Sequence, residues 1–438
     1  MARHRRRPVE PTARYTVNYI KTVFDNGLIL LTIPVPYVRS VAISVFVGVG
    51  SRYEPDEDAG VCHLIEHMLF KGSSRWPTAR DISEAIEGIG GVINASTGRE
   101  TTLYWVKIAQ PHEHVALELL ADMLMHPIMD PEEFAKEQRV VIEEINMLYD
   151  SPESLAQITI NNLVWPAHPL GRDISGTRES VRGITRDKLL AYMDQFYGPP
   201  CVVISIAGAI EPEQTRDQIA SLFQDWRKVP GRDPLPYQDF PHATAKVVFK
   251  DTEQAHICLG FPGLSRNHPD RFVLTLANTI LGDGMSSRLF QEIRERQALA
   301  YSVDSYISFL RDTGMLGIYA GVDPSRAEPA LEAIVRELRR MRDEPVSADE
   351  LARAKEFNKG RLLLQMENTS AIASWYGRQE ILPGDVLSVD DVIAQMEAAT
   401  PEDIQRVMQA VLDRDRFNIA VVGPFEQEDR FAGFLSAL

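Results

Sequence analysis

The chain states its element order twice, and this repeat restricts the possible folds more than any other feature, since self-similarity at a fixed shift means two copies of one unit. Ala42–Pro55 reads AISVFVGVGSRYEP and His256–Pro269 reads HICLGFPGLSRNHP, a shift of 214 that lays Ser51-Arg52 on Ser265-Arg266. Thr185–Ala209 lies over Thr400–Pro424 at a shift of 215, and PEEFAKE from Pro131 lies over ADELARA from Ala348 at 217. Between the copies, Val229–His242 carries Pro230, Pro234, Pro236 and Pro241, which bar helix and central strand alike and mark a linker. The expected division is a basic N-terminal tail (1–17), an N-terminal half (18–228), a Pro-rich linker (229–244) and a C-terminal repeat half (245–438).

Alternation and turn residues predict strands over 27–34, 41–49, 92–109 with a bend, and 202–207. Helical spacing predicts helices over 62–71, 79–87, 114–125, 131–149 and 185–196. Long helices grouped beside hairpin-like strands imply an α+β fold in two structurally repeated halves, each a mostly antiparallel sheet packed against helices.

Composition excludes several function classes. With 44% hydrophobic and 25% charged residues the chain is an ordinary globular protein. Its formal net charge of −16 disfavours nucleic acid, whose phosphates demand clustered cations. The apolar runs, such as 41–50, are strand-sized, short of the ~18 residues of a membrane helix. Cys62, Cys201 and Cys258 are too few and too dispersed for a disulfide framework, which suggests a reducing, cytoplasmic setting. MARHRRRPVEPTARY is basic with no apolar run behind it, so it reads as a solvated tail rather than a secretory signal.

The chemistry concentrates in VCHLIEHMLFKGS. His63, Glu66 and His67 form H-x-x-E-H, and two histidines at i and i+4 sit about 40° apart on one helix face, close enough to share an ion. Glu66 lies about 60° round from His63, on the side away from His67. A catalytic zinc takes three protein ligands and leaves a position for water, so a third ligand is needed. On the helix over 131–149, Glu137 and Glu144 both fall within the apolar stripe of Phe134, Val141, Ile145 and Leu148, whereas Glu143 points away. An acid on a buried stripe is costly unless paired or metal-bound. Seven residues of helix are about 10 Å, too far for both to reach one ion, so one would ligate and the other support.

His63-Leu-Ile-Glu66-His67 with Glu144 placed 77 residues after the second His resembles the inverzincin metallopeptidases of the pitrilysin family, M16. The two-half layout is most similar to M16B-type bacterial processing proteases, relatives of the mitochondrial processing peptidase β subunit. The resemblance implies a LuxS/MPP-like metallohydrolase fold closing as a clamshell, with Zn2+ held by His63, His67 and Glu144. It further implies Glu66 as general base on a metal-activated water and Glu137 as an acid orienting a zinc-bound imidazole. Asn94, Ala95 and Ser96, followed by Thr97, are similar to the family's edge strand, whose backbone pairs with an extended peptide.

At the repeat shifts His63, Glu66, His67, Glu137 and Glu144 fall on Ala277, Ile280, Leu281, Ala354 and Arg361, so the second copy keeps the frame and loses the site. It does contain LFQEIRERQALAYSV, similar to a family segment in which an arginine and a tyrosine face the metal across the chamber, here Arg294 and Tyr301. A guanidinium can anchor a peptide backbone and a phenol can donate to an oxyanion. Ala298 stands where the family usually has glycine, and Asp283 interrupts a glycine run. The implied function is a zinc endopeptidase acting on peptides or unfolded segments, as a homodimer or with a non-catalytic homologue, and the acidic balance suggests basic substrates. The rival readings are a non-catalytic core subunit of the same fold and a peptide-binding, chaperone-like protein.

Overall fold

The computed structural model describes residues 18–238 and 242–438. The expected tail over 1–17 lies outside the described residues. Each half builds one sheet. In the first, β1 (Ile20–Val23), β2 (Ile29–Pro34), β3 (Ser40–Val47), β4 (Val92–Thr97), β5 (Thr102–Ala109) and β6 (Val202–Gly208) lie in the order β1-β2-β6-β3-β5-β4. In the second, β7 (Thr244–Phe249), β8 (Ala255–Gly263), β9 (Ala300–Phe309), β10 (Gly314–Val322) and β11 (Asn418–Gly423) lie in the order β7-β11-β8-β10-β9. The second order repeats the first without β1. Neighbours are antiparallel except β2 with β6 and β7 with β11, pairs whose members are separated in sequence by three other strands and by helices of their half, since parallel strands cannot be joined by a tight turn. The α+β, twice-built expectation holds.

Two strand expectations need correction. The segment 92–109 is not one bent strand but a hairpin, closed where the Gly98 N–H donates to the Thr101 carbonyl at 2.8 Å. β1, a four-residue edge strand, had too little alternation to be read.

The first half's helices are α1 (Val61–Leu69), α2 (Ala79–Glu87), α3 (Glu113–Met125), α4 (Pro131–Asp150), α5 (Pro152–Val164), α6 (Arg178–Gly183), α7 (Arg186–Phe196) and α8 (Pro212–Phe223). The second half's are α9 (Arg271–Leu281), α10 (Ala327–Asp343), α11 (Ala348–Gln365), α12 (Thr369–Ile381), α13 (Val389–Ala398) and α14 (Pro401–Val411). Among the described residues no helix is long and apolar enough to cross a membrane.

Both faces of each sheet are apolar, and the two faces are covered differently. In β3, Val41, Ile43, Val45 and Val47 point into the first half's own core, while Ala42 and Phe46 point the other way, the alternation a strand imposes. That other face, with Leu31, Ile33, Val203 and Ala207, is covered by Ile372, Ala373 and Tyr376 of α12. Reciprocally, Ala156, Ile160 and Val164 of α5 cover Cys258, Met315, Tyr319, Ala420 and Val422 of the second sheet. α5 and α12 are repeat equivalents, 217 residues apart, so the halves exchange the same helix. Glycine permits close approach at each crossing: a Cβ on Gly377 of α12 would stand 2.5 Å from the Phe46 ring, and one on Gly260 of β8 would stand 2.7 Å from Val164 of α5.

Candidate metal centre

α1 is set by its surroundings before any metal is considered. It starts after Gly60, whose φ of 96° is open to glycine and strained for others, and where a Cβ would meet the Ser175 carbonyl at 2.4 Å. The buried Glu54 carboxylate accepts from the Gly60 and Cys62 N–H groups, both at 2.8 Å, which satisfies two otherwise unpaired helix-start donors. Burial pushes this carboxyl up to about 7, against the pull of those two bonds. Val61, Cys62, Leu64, Ile65, Met68 and Leu69 are buried and fix the helix rotation, leaving His63, Glu66 and His67 together on the half-buried side.

α4 supplies the facing groups. Asp130 accepts from the N–H groups of Glu132 and Glu133, Pro131 occupies the first turn, and Phe134, Val141 and Ile145 bury one stripe. Glu137 lies in that stripe at 6% exposure, as expected. Glu144 does not share that burial: its side chain is 34% exposed, because it turns from the stripe to the opening beside the histidines. Glu143 is exposed.

The His63 and His67 Nε2 atoms are 3.3 Å apart, and Glu144 Oε2 lies 3.7 Å from the first and 3.6 Å from the second. On the far side of the ring, His67 Nδ1 meets Glu137 Oε2 at 3.0 Å, and Lys71 Nζ meets Glu137 Oε1 at 2.7 Å. Donation from His67 Nδ1–H to the carboxylate leaves a lone pair at Nε2. Burial, reinforced by His67, lowers the His63 imidazole to about 4, so it is neutral near pH 7. Two nitrogens and a carboxylate oxygen therefore converge with too few protons to pair them, which a cation would relieve. Their spacing suits one: ligands at ~2.0–2.2 Å in a tetrahedron stand ~3.3–3.5 Å from one another. Among the described residues His63, His67 and Glu144 form the one such group of three able to hold a metal ion. The donor set, two imidazoles and one carboxylate, fits zinc chemistry.

Glu66 accepts a 2.5 Å hydrogen bond from the Thr97 hydroxyl on β4. Burial raises its proton affinity, the Thr97 bond opposes this, and the Glu144 charge adds to the rise. Two contributors escaped the sequence reading, Lys71 and Glu54, and Thr97, read there only as part of the edge strand, was not linked to Glu66. Lys71 was legible in principle, standing four residues after His67 on the same helical face. Nothing local marks the Thr97–Glu66 bond or the role of Glu54, because both depend on tertiary packing.

β4 ends its sheet, so its outer edge pairs with no strand. Asn94 and Ser96 are exposed and Ala95 is half-buried, and the Asn94 side chain accepts from the Ala95 N–H at 2.8 Å. Arg294 lies in a π-helical turn, Phe290–Arg296, with its guanidinium 5.2 Å from the centre of the Tyr301 ring. The structure thus joins Arg294 and Tyr301, the latter 76% exposed, to each other; no hydrogen bond links either to the histidine cluster among the described residues. Ala298 adopts φ 51°, a left-handed conformation that costs an alanine about 1 kcal/mol, so a glycine there would be the unstrained residue. Asp283 accepts from Arg361 at 2.8 Å, and Arg361 is the repeat position of Glu144: the second half has replaced a ligand position with an ion pair.

Known proteins resemble the chain along nearly all of its length. Residues 30–178 match the family described as Insulinase (Peptidase family M16), and residues 183–358 match the Peptidase M16 inactive domain. The uncharacterized zinc protease YmxG of Bacillus subtilis is 37% identical over 94% of this chain and 98% of its own. The uncharacterized zinc protease SCO5738 of Streptomyces coelicolor is 34% identical over 93% of this chain and 90% of its own. Among solved structures, a protease from Helicobacter pylori superposes with a TM-score of 0.89 at 22% identity, covering 93% of this chain and all of that one. A chain of Complex III2 from Candida albicans superposes with a TM-score of 0.82 at 19% identity, covering 96% of this chain and all of its own, and so shares the fold. With relatives above 30% identity that match over nine-tenths of both chains, and a His-His-Glu cluster carried by α1 and α4, the chain belongs to the insulinase family of peptidases, M16.

Proposed function

We propose that the protein is a zinc-dependent endopeptidase of the M16B processing type, related to the mitochondrial processing peptidase β subunit, that hydrolyses peptides or unfolded segments between its two halves. The observation that carries this reading is the convergence of His63 Nε2, His67 Nε2 and Glu144 Oε2 within 3.7 Å of one another. Zinc held there would supply a Lewis acid for the attacking water and the scissile carbonyl. Glu137 holds His67 in the tautomer that offers Nε2. Glu66, kept in place by Thr97, takes the proton from water and delivers it to the leaving amine. Asn94, Ala95 and Ser96 would pair by backbone with the substrate, displacing the Asn94 carboxamide from the Ala95 N–H. Arg294 would anchor the peptide backbone and Tyr301 would donate to the developing oxyanion. Residues 18–228 form the catalytic half in this reading and 245–438 complete the site. A homodimer in the cytoplasm is the expected form, consistent with three unpaired cysteines.

Elemental analysis and a mixed peptide library, with and without chelator, test the reading. One zinc per chain is expected, with cleavage abolished by chelator. Glu66→Gln should keep the zinc and lose about 10²–10⁴ in kcat. A metal-free purified chain with no cleavage would favour the non-catalytic subunit, and cleavage undiminished in Glu66→Gln would exclude the assigned base.

A further inference from the structure

Arg52 and Arg266 are repeat equivalents, and the structure treats them in opposite ways. Arg52 is buried and fully engaged: its guanidinium donates to Glu100 at 2.7 Å, to Asp312 at 2.6 Å and to the Leu235 carbonyl at 2.9 Å. Arg266 has no carboxylate within hydrogen-bonding or ion-pair reach among the described residues, and its buried Nε has no partner at all. The register explains the difference. Val47 pairs with Thr102 in the first sheet, and the equivalent Phe261 pairs with Leu316 in the second. The position equivalent to Glu100 is therefore Gly314, and the acid has been deleted while the arginine has stayed.

Arg266 borders two cavities, of about 510 and 450 Å3, which also share Arg378 and Phe309. The larger adds Arg271 and the rings of Phe272 and Trp375. The smaller adds Arg99 and reaches Ser96, Thr97 and Gly98 at the end of the open β4 edge, next to the Thr97 hydroxyl that holds Glu66. Arg271 donates to the Arg266 carbonyl and stacks on Phe272, and the exposed Arg378 side chain on α12 makes no hydrogen bond or ion pair among the described residues. The acids lining this space are Glu100, already held by Arg52 and the Arg311 N–H, and the exposed Asp385. Four arginines thus face two acids, opposite in sign to the chain's overall balance and to the basic-substrate expectation drawn from it. Burial lowers the Arg266 guanidinium below its usual range; the nearby Glu100 charge opposes this, and Arg378 and Arg271 add to the lowering.

We propose that Arg266, Arg378 and Arg271 form a carboxylate-recognising subsite that receives an acidic side chain or the C-terminal carboxylate of a peptide lying along β4. This rests on the peptidase reading for the identity of the occupant as a peptide. Guanidinium–carboxylate bonds out of bulk water are strong and oriented, so such a site discriminates charge rather than merely tolerating it.

The test uses the full-length, zinc-loaded protein and labelled peptides identical except for Glu, Gln or Lys at one scanned position, each with a free or an amidated C-terminus. Affinity is read by anisotropy on Glu66→Gln and kcat/KM on the parent. A preference of about tenfold or more for Glu over Gln is expected at one position, or for free over amidated termini, which identifies the carboxylate's source. In Arg266→Met and in Arg378→Gln that ratio should collapse towards one; Arg378 is exposed, so its variant remains informative if Arg266→Met fails to fold. Equal affinities across the set, a ratio unchanged in Arg378→Gln, or no peptide binding at all would overturn the subsite. Arginine-dependent binding without any cleavage would uphold the subsite and overturn the peptidase reading, while cleavage indifferent to charge would do the reverse.

Discussion

Glu137→Gln separates the support of the metal centre from the centre itself. One Glu137 oxygen accepts from His67 Nδ1 at 3.0 Å, and the other faces Lys71 Nζ at 2.7 Å, with the side chain 8% exposed. A glutamine cannot serve both. If its carbonyl faces His67, its NH2 faces an ammonium, donor against donor; if reversed, His67 loses the acceptor that fixes its tautomer. Losing such a supporting bond typically costs 10–100-fold in metal affinity, or about 1.4–2.8 kcal/mol. Zinc dissociation constants measured by competition with a chromophoric chelator should therefore rise by that factor. Lys71→Met in the same background should recover part of the loss, because it removes the donor that forces the choice, whereas Lys71→Met alone should weaken zinc less than Glu137→Gln. Zinc affinity within twofold of the parent in Glu137→Gln, with the fold intact by circular dichroism, would refute the assignment.

Two further outcomes concern the frame. Gly377→Ala would add about 1 kcal/mol to an open helix, but its Cβ would stand 2.5 Å from the Phe46 ring and 2.9 Å from Ser205 Cβ, so overpacking of about 1–3 kcal/mol should dominate. A lower urea midpoint is expected, and a higher one would show that the helix exchange has slack. Arg288 grips Glu350 with two bonds, at 2.8 and 3.1 Å, and holds its carboxyl at about 2 instead of 4.5. A depressed acid stabilises the fold above its unfolded value, so stability should be present above pH 4.5 and decline as the pH falls towards 2; Glu350→Gln should flatten that decline in chemical-denaturation curves, and an unchanged slope would refute the pairing.

Much of the fold was legible because the repeat carried it. Once one strand order is known the second follows, and the linker prolines separate the copies. What periodicity does not encode is the partner of a stripe: the α5 pattern of Ala156, Ile160 and Val164 shows an apolar face without showing that it belongs to the other half's sheet. The candidate site was legible because His63, Glu66 and His67 stand close together on one short helix, and because the same positions in the second copy are apolar. Glu137 followed from the stripe, but the exposure of Glu144 did not, since a helical wheel cannot show where a neighbouring element leaves an opening. Arg266 was visible only as half of an aligned Ser-Arg pair; its lack of a partner needed the strand register.

The exchanged helices also bear on how the polypeptide is made. The first sheet's last strand ends at Gly208, but the helix that covers its second face begins at Thr369. At ~5–20 residues per second, the roughly 160 intervening residues take about 10–30 s to emerge from a ribosome. Throughout that interval Leu31, Ile33, Phe46 and Val203 lack the cover of Ile372, Ala373 and Tyr376. A nascent chain of this design is sticky by construction, and a transcript truncated between the halves would yield an aggregating fragment rather than a smaller working protein.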